Sequence, residues 1–381
     1  QYFPYRQNSD LFYLAGIEQP DTILLMGPET EILFVKKPDT VHLLWEGDLL
    51  SKEDAGNMSG IAKIHWDEEF KNIFQKELKN TEFVYFNTPN NVSTSDVMTR
   101  DEIFLKQFRK DYPFHKILSS RSLMVDLRLV KEPEEIDQIR KGIAITHRAI
   151  NKILQNTKPG VSEKELEALL RYEFSVNGST GPAYDPIIAA GKNACVLHYT
   201  DNLDTCSAGD LLLMDIGAEV NNYASDISRT IPVSGKFTPR QESCYNAVLE
   251  VQEKTIQSIR PGISLAELNK KTKSWLIEKH LELGLYKKAD LVNEDPGKKY
   301  FPHGVAHFMG LDVHDYGDRD LTLRKGMVVT CEPGLYIPEE NIGIRIEDNI
   351  HVGEPSVNLS EKIPKSVEET EQLMVKNKHA G

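Results

Sequence analysis

Ile136, Ile139, Ile143 and Ile150, followed by Leu154, recur at helical spacing, which puts them on one face of an α-helix. Pro133 beside Glu132, Glu134 and Glu135 marks its start, because proline supplies a helical φ without needing a partner for an N–H and acids suit the positive end of the helix dipole. Lys158-Pro159-Gly160 ends it. Upstream the apolar runs are shorter. Thr22 to Met26 and Ile32 to Val35, joined by Gly27-Pro28-Glu29, predict a β-hairpin, and further strands are expected near Ala62 to Trp66 and Glu82 to Phe86. Asp67 to Leu78 and Asp101 to Lys110 read as helices. This mixture predicts an α/β domain over residues 1–128 and a second domain over 129–381, the boundary falling just ahead of the long helix. A chain of 381 residues exceeds the size at which one core usually keeps growing, so two domains are the default.

The second domain contains an internal repeat. Lys158-Pro159-Gly160-Val161-Ser162 with Glu165 is echoed by Arg260-Pro261-Gly262-Ile263-Ser264 with Glu267, an offset of 102 residues. In each copy a helix ends at Pro-Gly and the next begins with Ser at its N-cap and Glu three residues on, a capping box. The echo continues downstream. Gly209, Asp215 and Gly217 align with Gly326, Glu332 and Gly334 at an offset of 117, and Asp226 with Glu347 at 121. Val196-Leu197-His198 has a counterpart in Asp312-Val313-His314. Two related α/β halves about a pseudo-two-fold axis are expected, with acids from both meeting in the middle.

Asp210 to Val220 and Tyr223 to Val233 predict a hairpin, since Asn221-Asn222 suits the positive φ values of a tight turn. With those two residues at the turn, Asp215 faces Ser228 and Asp226 faces Gly217, so the two aspartates project on the same side as diagonal neighbours. In the second copy Met327 to Cys331 leads into Glu332, and Gly343 to His351 is expected as the returning strand carrying Glu347. Four converging carboxylates repel one another and do not all ionise unless cations neutralise them. Oxygen-rich ligation with one imidazole suits Mn²⁺, Fe²⁺, Co²⁺ or Zn²⁺, and bridging carboxylates would let two such ions sit roughly 3.5–4 Å apart. His307 is the candidate imidazole.

Composition narrows the partners. The net charge of −13 repels phosphate backbones and anionic headgroups, against nucleic-acid or membrane-surface binding. No run approaches the roughly 18 apolar residues of a membrane span. Cys195, Cys206, Cys244 and Cys331 form no C-x-x-C pair, which points to thiols in a reducing cytoplasm rather than a disulfide framework or structural zinc.

Met214-Asp215-Ile216-Gly217, Ser225-Asp226-Ile227-Ser228-Arg229-Thr230, the stretch His303 to Asp315, Cys331-Glu332-Pro333-Gly334-Leu335-Tyr336 and Arg345-Ile346-Glu347-Asp348 together carry a family resemblance. The second half resembles the creatinase/aminopeptidase or pita-bread fold, and the match is to Xaa-Pro aminopeptidases, also called aminopeptidase P. Phe3 to Leu14 resembles part of that family's creatinase-type N-terminal α/β domain, which distinguishes the chain from single-domain methionine aminopeptidases. Ala306 stands where the family more often has Ser or Gly. The family carries several dozen residues ahead of the Phe3 segment, so the N-terminal domain is expected to lack its first helix and strand.

The resemblance implies roles by position. Asp215 would hold one metal, Asp226 and Glu347 both, and His307 with Glu332 the other. Glu332 would move the proton, His198 and His314 would stabilise the oxyanion, and His303 would line the proline side. Arg345 would hold carboxylates in place, while Tyr184 and Tyr336 match positions near the site. The substrates implied are peptides with proline second. A homodimer or homotetramer is also implied, in which Asp10 or its neighbours reach another subunit's site. Three other readings stand beside this one: an Xaa-Pro dipeptidase with the same five ligands, a non-catalytic peptide-binding module of the same fold, and creatinase-like hydrolysis without metal.

Overall fold

Apolar residues in Ile23–Gly27 (β1) and Thr30–Val35 (β2) pair antiparallel from Ile23 opposite Phe34 to Gly27 opposite Thr30. This is the predicted hairpin, with Pro28-Glu29 at its turn. The computed structural model describes residues 5–79, 81–87, 98–287 and 296–378, so Phe3 and Pro4 of the Phe3–Leu14 segment lie outside the described residues. The chain divides into two units, Gln1–Arg128 and Leu129–Gly381.

In the first unit β3 (Lys63–Trp66) runs parallel to β2, and β4 (Phe83–Phe86) pairs in parallel with β5 (Lys116–Ser119). The helices are α1 (Ser9–Ala15), α2 (Thr40–Glu46), α3 (Lys52–Ser59), α4 (Phe70–Leu78), α5 (Arg100–Asp111) and α6 (Arg121–Leu129). The helix expected from Asp67 instead opens as a 3₁₀ turn, because the Glu69 carboxylate folds back to accept from the Trp66 amide at 3.0 Å. One core gathers Ile17, Leu33, Val35, Ala55 and Ile61, another Phe74, Leu78, Phe86 and Phe108.

The second unit begins with α7 (Pro133–Asn156), whose predicted stripe of Ile136, Ile139, Ile143, Ile150 and Leu154 is buried throughout. Each such side chain contributes roughly 1.5–3 kcal/mol. Next come α8 (Glu163–Val176), β6 (Gly181–Pro182), β7 (Ile187–Ala190), β8 (Leu211–Ile216), β9 (Ala218–Glu219) and β10 (Ile227–Pro232). They are followed by α9 (Pro239–Ser258), α10 (Leu265–Glu282) and the short α11 (Pro296–Lys299). Strands β11 (Val328–Cys331), β12 (Gly334–Ile337), β13 (Ile342–Arg345), β14 (Asp348–His351) and β15 (Val357–Asn358) precede α12 (Val367–Lys378). Both predicted capping boxes form, Ser162 with Glu165 and Ser264 with Glu267. β7, β8 and β10 make one antiparallel sheet, β11, β14 and β15 another, and β12 pairs with β13.

Asn221 and Asn222 take φ values of 48° and 63°, and the β8–β10 ladder sets Asp215 opposite Ser228. The predicted register therefore holds, although the ladder is interrupted at Gly217. The second copy departs from expectation. Instead of one returning strand from Gly343 to His351, β13 pairs with β12 and β14 with β11. Cys331 lies opposite Asp348 and Gly334 opposite Arg345. Glu332 and Glu347 thus fall opposite each other in the gap between the two ladders. Pro333 has no amide to donate, and the Glu347 amide is taken by Ser228 O of the other half at 3.0 Å; both divert hydrogen bonds from a continuous ladder.

Candidate metal centre

Each half supplies acids from a hairpin, and one residue fixes how tightly the first hairpin closes. A Cβ on Gly217 would lie 1.7 Å from Ser225 O and 3.1 Å from the Tyr184 ring, so only glycine lets the strand carrying Asp215 approach the strand carrying Asp226. Thr146 of α7 supports this closure, its hydroxyl lying 3.0 Å from Ser225 Oγ and accepting from the Ala218 amide at 3.0 Å. His307 arrives on an irregular strand beside β11. Its carbonyl accepts from the Thr330 amide at 2.9 Å, and its own amide donates to Thr330 Oγ1 at 3.1 Å.

Among the described residues, Asp226, His307 and Glu347 bring one donor atom each within 4.8 Å of one another. Tyr184 joins Asp215 to this group, its hydroxyl lying 2.7 Å from Asp215 Oδ1 and 2.6 Å from Asp226 Oδ1. Glu332 joins through His307, whose Nε2 lies 3.3 Å from Asp226 Oδ2 and 3.9 Å from Glu332 Oε1. Opposite stands Arg345. Its Nη2 reaches Asp215 Oδ2 at 2.5 Å, its Nε donates to Ser228 Oγ at 2.9 Å and its Nη1 to the Tyr336 hydroxyl at 2.8 Å. Ser228 in turn donates to Glu347 Oε2 at 2.7 Å.

The electrostatics are those of too much negative charge in too little solvent. Burial, then the charges of Asp226, Glu332 and Asp215, push the Glu347 carboxyl far above the usual range. Burial also lifts Asp215, Arg345 opposing and Asp226 adding. Glu332 is pushed up to about 7, by burial first, with His307 and Arg345 opposing and the two aspartates adding. For His307 burial alone would favour the neutral ring, yet the bond to Asp226 and the charge of Glu332 outweigh it and raise the group to about 9. A histidine held protonated by carboxylates is standing in for a cation. Its Nδ1 faces Phe308 O at 3.1 Å, and a carbonyl partner there directs Nε2 at the acids, the orientation a metal-binding imidazole requires. Five oxygen and nitrogen donors short of positive charge fit divalent cations.

His303 belongs to a different device. Burial first, and the charge of Arg345 second, lower it to about 3, so its ring is neutral. Since Gly304 O, 2.7 Å from Nδ1, can only accept, Nδ1 carries the hydrogen and Nε2 accepts from the Tyr336 hydroxyl at 2.8 Å. Hydrogen bonds therefore run in one direction from Arg345 through Tyr336 and His303 to Gly304. His314 stacks edge-on with His307 at 4.4 Å between centroids. It is exposed, as is its repeat counterpart His198. Burial is the main cause of a lowered His314, the charges of His307 and His198 contributing. Asp10 is engaged in the first unit, buried and paired with Arg128 Nη1 at 2.7 Å.

Ser228 and Asn349 were not singled out as site residues by sequence reasoning. Asn349 accepts from the Asp226 amide at 3.1 Å and donates to the Asp226 carbonyl at 2.6 Å. The signal was present in the repeat, for Ser228 follows Asp226 by two residues and Asn349 follows Glu347 by two.

Residues 137–354 match metallopeptidase family M24, and residues 1–85 match the aminopeptidase P N-terminal domain. The chain is 35% identical to the Xaa-Pro aminopeptidase of Escherichia coli strain K12, over 98% of this chain and 90% of that protein. A solved Bacillus anthracis chain superposes with a TM-score of 0.93 at 37% identity, covering 99% of this chain and 90% of that one. Zinc-substituted aminopeptidase P of Escherichia coli in complex with product gives a TM-score of 0.89 at 32% identity, covering 98% and 90%. The second unit is thus a pita-bread domain with an internal pseudo-two-fold repeat, preceded by a smaller α/β domain. A buried cluster of acids drawn from two repeated hairpins around one imidazole, together with these matches across nearly the whole sequence, means that the chain belongs to metallopeptidase family M24 and is a metallo-aminopeptidase.

Proposed function

We propose that the protein hydrolyses the bond between the first residue and a proline in second position, with two divalent cations, Mn²⁺ foremost, held by Asp215, Asp226, His307, Glu332 and Glu347. The observation that carries this reading is that Asp226, His307 and Glu347 meet, with Glu332 joined to them through His307 and Asp215 through Tyr184, and that only Arg345 and His307 pair with them as cations among the described residues. The cations, when bound, supply a water made nucleophilic at neutral pH and a Lewis acid for the scissile carbonyl. Asp226 and Glu347, the more buried acids, would hold the cations together with His307 and Glu332, and Asp215, paired with Arg345, would complete the set. Glu332, 3.5 Å from His303 and 3.9 Å from His307, passes the proton from the attacking water towards the leaving nitrogen. Exposed His198 and His314 meet the oxyanion as it forms, and His303 lines the proline side. Proline preference follows because the X-Pro amide has no N–H, so a site that makes no use of that donor and fits the ring selects it.

Assembly into a homodimer or homotetramer and residence in the cytoplasm belong to the same reading. The four cysteines are free, and no helix among the described residues is long and apolar enough to cross a membrane. The test is metal analysis paired with assays on Arg-Pro-Pro-type peptides and on X-Pro dipeptides, for the wild type and Asp226→Asn. Tripeptide cleavage by a protein holding two equivalents of metal, abolished in the variant while the fold persists, is expected. Unchanged turnover by Asp226→Asn removes Asp226 from the mechanism, and a preference for the dipeptide makes the enzyme a dipeptidase.

A further inference from the structure

His198 is exposed, on a loop between β7 and β8 with no regular structure beyond the 3₁₀ turn Gly191–Cys195. A loop of this length would ordinarily leave a tip residue free to wander. Two glutamates one turn apart on α8 prevent it. Glu163, with no exposed surface, receives four hydrogen bonds, one from the last residue of β7 and three from this loop. Ala190 N donates to its Oε1 at 2.7 Å and Asn193 Nδ2 at 3.1 Å, while the Tyr199 hydroxyl donates to its Oε2 at 2.7 Å and Asp204 N at 2.9 Å. Four donors fill the acceptor sites of a carboxylate, and both ends of the loop are thereby tied to one side chain. On the far side of His198, buried Asn202 donates to Glu167 Oε2 at 3.1 Å and to Pro186 O at 2.8 Å, and accepts from the Ile188 amide at 2.9 Å.

The residue adjoining His198 is the one whose hydroxyl enters this clamp. The near end of the loop is seated as firmly, for a Cβ on Gly343 would lie 2.1 Å from Ala194 O, so the turn rests directly on the strand that carries Arg345. We infer that Glu163, acting through Tyr199, is a positioning residue that fixes where His198 can reach. The inference rests on the role given to His198 above. It is carried by the geometry of Glu163 as a four-fold acceptor.

Glu163→Gln puts a donor against backbone N–H groups and can unfold the loop outright, so Tyr199→Phe decides. It removes one hydroxyl and leaves Glu163 three donors. Expected is a fall in kcat of roughly 10-fold with KM and metal content unchanged, since small misplacements of a catalytic group are costly. In a His198→Ala background the same substitution should have no further effect, the signature of two residues acting as one unit. Hydrogen exchange across residues 190–204 should quicken in Tyr199→Phe while that of β8 stays as it was. Equal losses in both backgrounds, with His198→Ala itself impaired, overturn the clamp alone. Wild-type turnover by His198→Ala overturns the reading of His198 and the clamp's catalytic purpose with it. Unaltered exchange across the loop overturns the clamp whatever the kinetics.

Discussion

Asn349 holds Asp226 by its backbone, accepting from the amide and donating to the carbonyl, and Ser228 does the corresponding service for Glu347, donating to its carboxylate and accepting its amide at the main-chain carbonyl. Each half of the repeat therefore orients the buried acid of the other. Neither acid can be placed until both hairpins have formed and met, which couples assembly of the site to assembly of the domain.

Ser228→Ala breaks one arm of this exchange and leaves Arg345 Nε and Glu347 Oε2 each short of a partner in a fully buried place. Loss of such an outer partner typically weakens metal binding by about 10- to 100-fold, with roughly 1–3 kcal/mol of stability lost besides. Calorimetric titration of the metal-free protein with Mn²⁺ reads the first and urea unfolding the second. Wild-type affinity in the variant would mean that Glu347 needs no help from Ser228.

Removing the cations should expose the repulsion among the acids. Protein dialysed against chelator is expected to melt at a lower temperature, and excess Mn²⁺ to restore about 2.7 kcal/mol at a hundred times its Kd. Asp226→Asn should lose this response. Because the substitution deletes one of the crowded charges, the metal-free variant should be at least as stable as metal-free wild type. A variant markedly less stable than that would show that the acids are not frustrated without metal.

Much of this centre was legible in the sequence because the repeat repeats chemistry as well as hydrophobicity. Asn221-Asn222 announced a two-residue turn, and from that count alone Asp215 falls opposite Ser228, as the ladder has it. The second copy was less legible. Its returning strand splits because Pro333 cannot donate and because Glu347 bonds across to Ser228, and neither strand pattern nor propensity encodes a hydrogen bond to a partner in the other half. Glu163 was hidden for a similar reason. In sequence it is one more acid in the first turn of a helix, where the helix dipole suffices to explain it; its four donors come from residues 27 to 41 positions away.

Behind the cluster of acids, Arg229 ties several segments together. It donates from Nη2 to Asp348 Oδ1 at 2.7 Å, from Nη1 to Ser228 O at 2.9 Å and Glu347 O at 2.7 Å, and from Nε to Pro364 O at 2.9 Å. Asp348 Oδ2 also accepts from Gln252 at 2.8 Å and Lys365 at 3.0 Å. Removing one partner of a buried pair leaves an uncompensated charge, typically about 3–5 kcal/mol. Arg229→Met should therefore destabilise the protein by that order in denaturant unfolding. The double variant Arg229→Met with Asp348→Asn should recover part of the loss, since the fully buried Asp348 then carries no charge and only the partly exposed Lys365 loses a carboxylate partner. A double variant whose loss equals the sum of the singles would argue that the two residues act separately.

Away from the site, His280 of α10 is buried with neither ring nitrogen hydrogen-bonded among the described residues. It packs edge-on against Tyr300, the ring centroids 5.7 Å apart. Burial lowers it to about 4, against an ordinary value near 6.5. The native protein therefore keeps the ring neutral under conditions where the unfolded chain takes up a proton. Its contribution is fully present above the ordinary histidine range and is lost as the pH falls from about 6.5 to about 4, amounting to about 3 kcal/mol at the lower limit. His280→Phe keeps the aromatic packing and has nothing to protonate. Unfolding free energies measured between pH 7 and pH 4 should fall less steeply for this variant than for the wild type, the two curves diverging through that window. Parallel curves would mean that His280 already has a partner in the folded protein, and that its acid sensitivity lies elsewhere.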